Sequence, residues 1–312
     1  MIFCPVALQY KANCNQKPTM TIQLAQHHGM CFGVRDALRA THDAAKAAPV
    51  TILGQLVHNP VVEAHLRTLG VQRGELTDQP QASTRDVIIT AHGAADRQRE
   101  ALREAGHQIT DTTCPLVKKA HEALRVLVSS GYFPIVIGQA THVEVRGLTG
   151  DFPEAIVILH EEDIERIPPH QRFGIISQTT QPVTRALNLV DAVKRRHPLA
   201  EVRFVDTVCH PTKQRQTALE QLCTTCDTIV VIGGRNSNNT RQLVETATRL
   251  GCDAHQVEHA GDLDPRCFRN AQHVGVTAGT STLDETVQAV MDRLQVIADE
   301  WRSPGLFKAL IR

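Results

Sequence analysis

The chain has 312 residues, 42% hydrophobic and 21% charged, with 33 Lys plus Arg balanced by 33 Asp plus Glu. That composition supports a globular core in two or three compact units, and the zero net charge argues against a nucleic-acid binder held by a broad basic field. No apolar run reaches membrane-spanning length, and nine cysteines scattered over a long chain do not form a secreted disulfide framework, so reduced thiols in a cytoplasmic protein are expected.

Residues 1–19 read as a disordered extension carrying Cys4 and Cys14. The first strand-like run, Thr21-Ile22-Gln23-Leu24-Ala25, follows Met20, which makes Met20 the expected natural start. From there apolar runs alternate with helical patterns, the mark of α/β units with parallel sheets. Nine times an apolar run ends in a short polar loop and a helix begins. These junctions group in threes, as an internal repeat of α/β units over 20–105, 106–198 and 199–312, the last with a C-terminal helix and tail.

The first junction of each unit carries a cysteine: Cys31, Cys114 and Cys209. The second carries His58, His142 or Ser237, at offsets of 27, 28 and 28 positions from the cysteine. The third carries His92, Thr179 or Ser281, at looser offsets of 34, 37 and 44 positions from the second. In parallel α/β sheets, ligands bind beyond the carboxyl ends of the strands, where all nine junctions lie. Three units facing a common axis would bring three thiols and a set of polar side chains into one cleft. The run from Pro115 to Leu127 is apolar at helical spacing with proline in its first turn. Cys114 is therefore expected at a helix N-terminus, where unpaired N–H groups favour a thiolate, and Pro211 implies the same for Cys209.

Three thiolates at equivalent positions suit an iron–sulfur cluster, and on a four-iron cluster they leave one iron open to act as a Lewis acid. The competing reading is three buried structural cysteines. Glu144, in His142-Val143-Glu144, would deliver protons to a departing hydroxyl. H-x-E also occurs in zinc deaminases, but the only C-x2-C, Cys223 to Cys226, lies about 80 positions on without their proline. That pair reads as a helix end and core packing, and Cys252 and Cys267 as structural. His58, His92 and His142, with Ser237, Asn239 and Ser281, form a donor set for phosphate-type anions, aided by helix N-termini. Asn236-Ser237-Asn238-Asn239-Thr240 opens one such helix, and capping is the ordinary role of these residue types.

Taken together, Gly29-Met30-Cys31-Phe32-Gly33-Val34, Val57-His58-Asn59-Pro60, Ala91-His92-Gly93, Asp111-Thr112-Thr113-Cys114-Pro115, His142-Val143-Glu144, Gln178-Thr179-Thr180, Cys209 with Arg215-Gln216, Asn236-Ser237-Asn238-Asn239 and Thr277-Ala278-Gly279-Thr280-Ser281 resemble the 4-hydroxy-3-methylbut-2-enyl diphosphate reductases, iron–sulfur enzymes of the non-mevalonate isoprenoid pathway. The resemblance runs from Met20 to about Gln295. It implies a trefoil-like monomer around one 4Fe–4S cluster held by Cys31, Cys114 and Cys209. It implies Glu144 as proton source, with Thr179 and His142 in its relay. His58, His92, His142, Ser237, Asn238, Asn239 and Ser281 would bind the substrate, largely through its diphosphate. Ferredoxin or flavodoxin would supply two electrons, giving isopentenyl and dimethylallyl diphosphate plus water. The chain departs from the family pattern at Val143, where proline is usual, at Arg146, where a second glutamate is usual, and at Pro211. The alternatives are a diverged paralogue reducing a related allylic alcohol and a non-catalytic iron–sulfur sensor that binds diphosphates.

Overall fold

The computed structural model describes residues 20–57, 59–77 and 81–302. The expected extension over 1–19 and the candidate ligand His58 lie outside the described residues. In chain order, β1 (Thr21–Leu24) is followed by α1 (Phe32–Ala47), β2 (Val50–Leu53), α2 (Pro60–Thr68), β3 (Gln72–Gly74), β4 (Asp86–Ile89), α3 (Asp96–Glu104) and β5 (Gln108–Asp111). Next come α4 (Pro115–Ser129), β6 (Phe133–Ile137), α5 (Val143–Thr149), β7 (Ile156–Ile158), β8 (Arg172–Ser177), α6 (Val183–Arg196) and β9 (Glu201–Phe204). The last group is α7 (His210–Cys223), β10 (Thr228–Ile232), α8 (Asn238–Arg249), β11 (Asp253–Val257), β12 (His273–Ala278) and α9 (Asp284–Arg302). Each helix opens at one of the nine junctions expected from the sequence. Among the described residues, no helix is long and apolar enough to cross a membrane.

The strands form three four-stranded sheets, ordered β3-β2-β4-β5, β7-β6-β8-β9 and β11-β10-β12-β1, with every ladder parallel. The three sheets share one plan. The strand before each second junction (β2, β6, β10) is central, and the strand before each cysteine (β5, β9, β1) is an edge. Equivalent registers recur: Ile52 faces Ile88, Ile135 faces Ile175 and Val230 faces Val276. The edge strands pair in a way that spacing does not disclose. β5 completes the sheet of β2 and β4, β9 that of β6 and β8, and β1 that of β10 and β12.

Central strands in such sheets are apolar on both faces because helices cover both sides. In β10, Val230 and Ile232 pack with Val290, Leu294 and Ile297 of α9, while Ile229 and Val231 pack with Leu219 and Leu222 of α7 and Leu243 of α8. In β6, Ile135 and Ile137 face Leu189 and Val193 of α6, and Val136 faces Leu124 and Leu127 of α4. Cys226 and Cys252 are buried behind β10. Cys267, also expected to be structural, is exposed. The three sheets turn the carboxyl ends of their strands toward shared loops, and the polar side chains gather there.

Candidate active site

Cys31, Cys114 and Cys209 are the N-caps of α1, α4 and α7, and each is partly buried. Each cysteine amide is anchored by a third-junction carbonyl: Cys31 donates to Thr280 at 3.0 Å, Cys114 to Ala91 at 3.0 Å and Cys209 to Thr179 at 3.0 Å. These bonds tie each edge strand's loop to its neighbour in the sheet and fix where the thiol emerges.

The three loops also touch one another. Phe32 and His210, the residues after Cys31 and Cys209, stack with ring centroids 5.8 Å apart. The Arg215 guanidinium, only 5% exposed, donates to the carbonyls of Pro211, His28 and Gly29, and so binds α7 to the Cys31 loop. Gly33 lies against Cys114 so closely that a Cβ there would fall 2.5 Å from its Sγ. After burial, the charge of Cys31 adds to the raised pKa of Cys114 and of Cys209, so Cys31 lies within electrostatic reach of both.

A helix N-terminus was expected to favour the thiolates, and the amides of Leu116 and Val117 do act that way on Cys114. Burial outweighs them. It raises the pKa of Cys114 and pushes Cys209 up to about 11, with Thr212 opposing. Desolvated, mutually repelling thiols ionise when a cationic group binds among them. No three His, Cys, Asp or Glu side chains among the described residues gather around a single metal-ion position. Three thiol donors, each capping a helix in loops that touch one another, suit the soft chemistry of an iron–sulfur group.

Glu144 is 2% exposed in the first turn of α5, two residues past the N-cap His142. Its Oε1 accepts the Thr179 amide N–H at 2.6 Å, and its Oε2 lies 3.0 Å from the Thr179 hydroxyl. Burial raises its pKa to about 7 against those two hydrogen bonds. Its charge reaches Cys114 and Cys209, which places it beside the thiols. His142 accepts the Glu144 amide N–H on Nδ1 at 3.1 Å. When neutral it therefore carries its proton on Nε2. Its ring meets that of His92 edge-on at 5.4 Å.

The third unit supplies the remaining expected donors. Ser237 caps α8 by accepting the Thr240 amide at 3.3 Å. Asn239 is 3% exposed, and its Nδ2 has no partner among the described residues. Gly279 lets Asn239 and Thr240 approach, since a Cβ there would collide with Thr240 Oγ1 and lie 3.6 Å from Asn239 Nδ2. Ser281 is 4% exposed, and its carbonyl accepts from Asn59 Nδ2 at 2.6 Å. Asn238 is turned differently: its amide donates to Thr180 Oγ1 at 2.9 Å and ties α8 to the loop after β8.

The LytB protein family model matches residues 22–295. The chain belongs to this family. It is 35% identical over 284 residues to the 4-hydroxy-3-methylbut-2-enyl diphosphate reductase of Aquifex aeolicus, covering 89% of this chain and 97% of that one. It is 36% identical over 280 residues to the same reductase of Geobacter sp. strain M21, covering 89% and 98%. Among solved structures, this LytB-family fold is similar to the E-1-hydroxy-2-methyl-but-2-enyl-4-diphosphate reductase of Plasmodium falciparum, with a TM-score of 0.82, 26% identity and 89% of each chain covered. A solved structure of (E)-4-hydroxy-3-methyl-but-2-enyl diphosphate reductase, described as the terminal enzyme of the non-mevalonate pathway, aligns with a TM-score of 0.62 at 34% identity, covering 89% of this chain and all of that one.

Sequence reasoning passed over Asn59 and Arg215 as working parts. Asn59 caps α2 through Val61 and Val62 and reaches across to Ser281. An asparagine directly before proline at a helix start was the available signal. Nothing in the sequence marks Arg215 as buried.

Proposed function

We propose that the chain reduces 4-hydroxy-3-methylbut-2-enyl diphosphate to isopentenyl and dimethylallyl diphosphate, the last step of the non-mevalonate isoprenoid pathway. Family membership over nearly the full chain supports the substrate. The carrying observation is the buried Glu144 carboxyl within electrostatic reach of two of the three N-cap cysteines, Cys114 and Cys209. Cys31, Cys114 and Cys209 would hold a 4Fe–4S cluster, which when bound would supply electrons and a Lewis acid for the substrate hydroxyl.

The rest of the work falls to side chains. Loss of the hydroxyl as water consumes two electrons and two protons, and Glu144 is placed to hold one of those protons. With a pKa near 7 it is partly protonated at neutral pH, which suits a general acid. The Thr179 hydroxyl donates to a carboxylate Oε2 and accepts from a protonated one, so the proton can be replaced along that contact. His92, His142, Ser237, Asn239 and Ser281 hold the diphosphate, and the unpartnered Nδ2 of Asn239 supports that role. His58 takes its place in this set by resemblance. The chain acts as a cytoplasmic monomer with ferredoxin or flavodoxin as electron donor.

The test is anaerobic turnover of the allylic diphosphate with reduced methyl viologen. Wild-type protein yields both products, and Glu144→Gln loses activity while keeping its iron and sulfide. A fully loaded wild-type protein that binds the diphosphate and forms no product would instead be the non-catalytic sensor.

A further inference from the structure

A cavity of about 540 Å³ opens where the second junctions of all three units meet, lined by Gly54 and Gln55 beyond β2, Gln139 and His142 beyond β6, and Asn236 beyond β10. His142 belongs both to this cavity and to the cleft, where its ring meets that of His92. The cavity wall carries Arg73, Arg146 and Arg241 against one acid, Glu75.

The three cations are held differently. Arg241 is fixed, with Nη2 donating to Gln139 Oε1 at 2.6 Å, and its buried Nε has no partner among the described residues. Arg73 has only a loose contact with Glu63, at 4.0 Å. Arg146 is exposed, and no described residue pairs with its guanidinium. It also lines the adjoining cavity of about 800 Å³, where the Asp151 carboxylate is occupied by the amides of Asp96 and Arg97. Helix α5 thus turns Glu144 inward and Arg146, two positions on, outward.

We propose that Arg146, with Arg73 and Arg241, forms a cationic vestibule that captures the diphosphate-bearing substrate before it passes His142 into the cleft. This rests on the proposed reaction. The expected cleft donors include no Lys or Arg, so they offer no permanently charged cation to draw an anion from a distance. A polyanion approaching a low-dielectric opening is drawn by fixed positive charge at its mouth, which raises the association rate and falls off with salt.

The experiment uses the anaerobic holoenzyme with Arg146→Gln and Arg146→Glu. Arg39→Gln serves as control, since Arg39 is an exposed α1 residue near Asp36. At low ionic strength, kcat/KM falls roughly threefold in Arg146→Gln and at least about tenfold in Arg146→Glu, the change lying in KM with kcat retained. The gap closes at about 0.5 M salt, and Arg39→Gln matches wild type. Calorimetric titration with inorganic diphosphate gives a second readout that needs no turnover, and Arg146→Glu weakens that binding. Wild-type kcat/KM in Arg146→Glu at low salt, a loss confined to kcat, or unchanged diphosphate binding would overturn the proposal. Absence of turnover in wild type, with Arg146-dependent diphosphate binding intact, would sink the reaction instead and leave an anion vestibule standing.

Discussion

Gly33→Ala offers the sharpest test of how the thiols are arranged. The added Cβ would stand 2.5 Å from Cys114 Sγ and 3.2 Å from its Cβ. Ordinary carbon contacts lie at about 3.5–4.0 Å, so the sulfur must retreat by roughly 1 Å or α1 must shift by as much. Overpacking of that kind costs about 1–3 kcal/mol. Alanine within α1 returns up to about 1 kcal/mol through helix propensity. Net destabilisation is therefore about 0–2 kcal/mol, a few degrees in Tm for a chain of this size. The proposed cluster site would suffer far more, because one of its three proposed ligands is displaced. The assay is iron and acid-labile sulfide per chain after anaerobic reconstitution, read beside thermal unfolding. The expected outcome is a folded protein whose iron falls from about four per chain to below about one. A Gly33→Ala protein with full iron load and full turnover would refute the placement of Cys114 argued here.

The other predictions concern protons. Thr179→Val removes the hydroxyl that lowers the Glu144 pKa but keeps the amide bond to Oε1; the alkaline limb of the pH–rate profile moves up and kcat falls about tenfold or more, and an unmoved limb would remove Thr179 from the relay. Glu144 keeps its proton to about pH 7 when folded but releases it near 4.5 when unfolded, so it withdraws stability as pH rises through that window. Glu144→Gln cannot ionise and should gain about 2–3 kcal/mol on wild type between about pH 5 and pH 8 in anaerobic chemical denaturation, whereas a flat difference would deny the burial. His121 has the opposite sign. It is buried on α4 with Nε2 unpartnered, and burial lowers its pKa to about 4 from 6.5. The unfolded chain therefore takes up a proton first as pH falls, and His121→Leu should lower the acid-unfolding midpoint. No change in that midpoint would mean that His121 charges without opening the fold.

Much of the fold was legible because βα junctions leave a double signal, an apolar run ending and a capped helix beginning. All nine α-helices among the described residues start where that signal falls. β3, β7 and β11 escaped notice. All three are edge strands, β3 and β7 have three residues each, Gln72-Arg73-Gly74 has no apolar residue, and no α-helix directly follows β7 or β11. The pairing of β1, β5 and β9 was hidden for another reason: sequence order does not state which sheet an edge strand joins. At the site, chemical class in matched columns pointed to the thiols, Ser237 and Ser281, and the His142-Val143-Glu144 run pointed to Glu144. The raised thiol pKa values were not legible, since spacing shows a helix N-terminus but not the depth of its burial. Asn238 shares a loop with Asn239 and an identical side chain, and only the packing against Thr180 separates them. Arg146 stood out in the sequence merely as a departure from a pattern. Its place in a cavity wall emerged with the fold.

The pairing of β1 with β12 sets a timetable for synthesis. Thr21 and His273 lie side by side yet 252 positions apart, and Cys31 is anchored to Thr280 just beyond β12. At roughly 5–20 residues per second, a ribosome spends tens of seconds between making the two halves of that contact. Until β12 emerges, the earliest of the three sulfurs has no seat, while the other two already have the strands that position them. A cluster held by all three proposed thiols would therefore assemble only after β12 is made, and a chain stalled before β12 would present two seated thiols and one without its anchor.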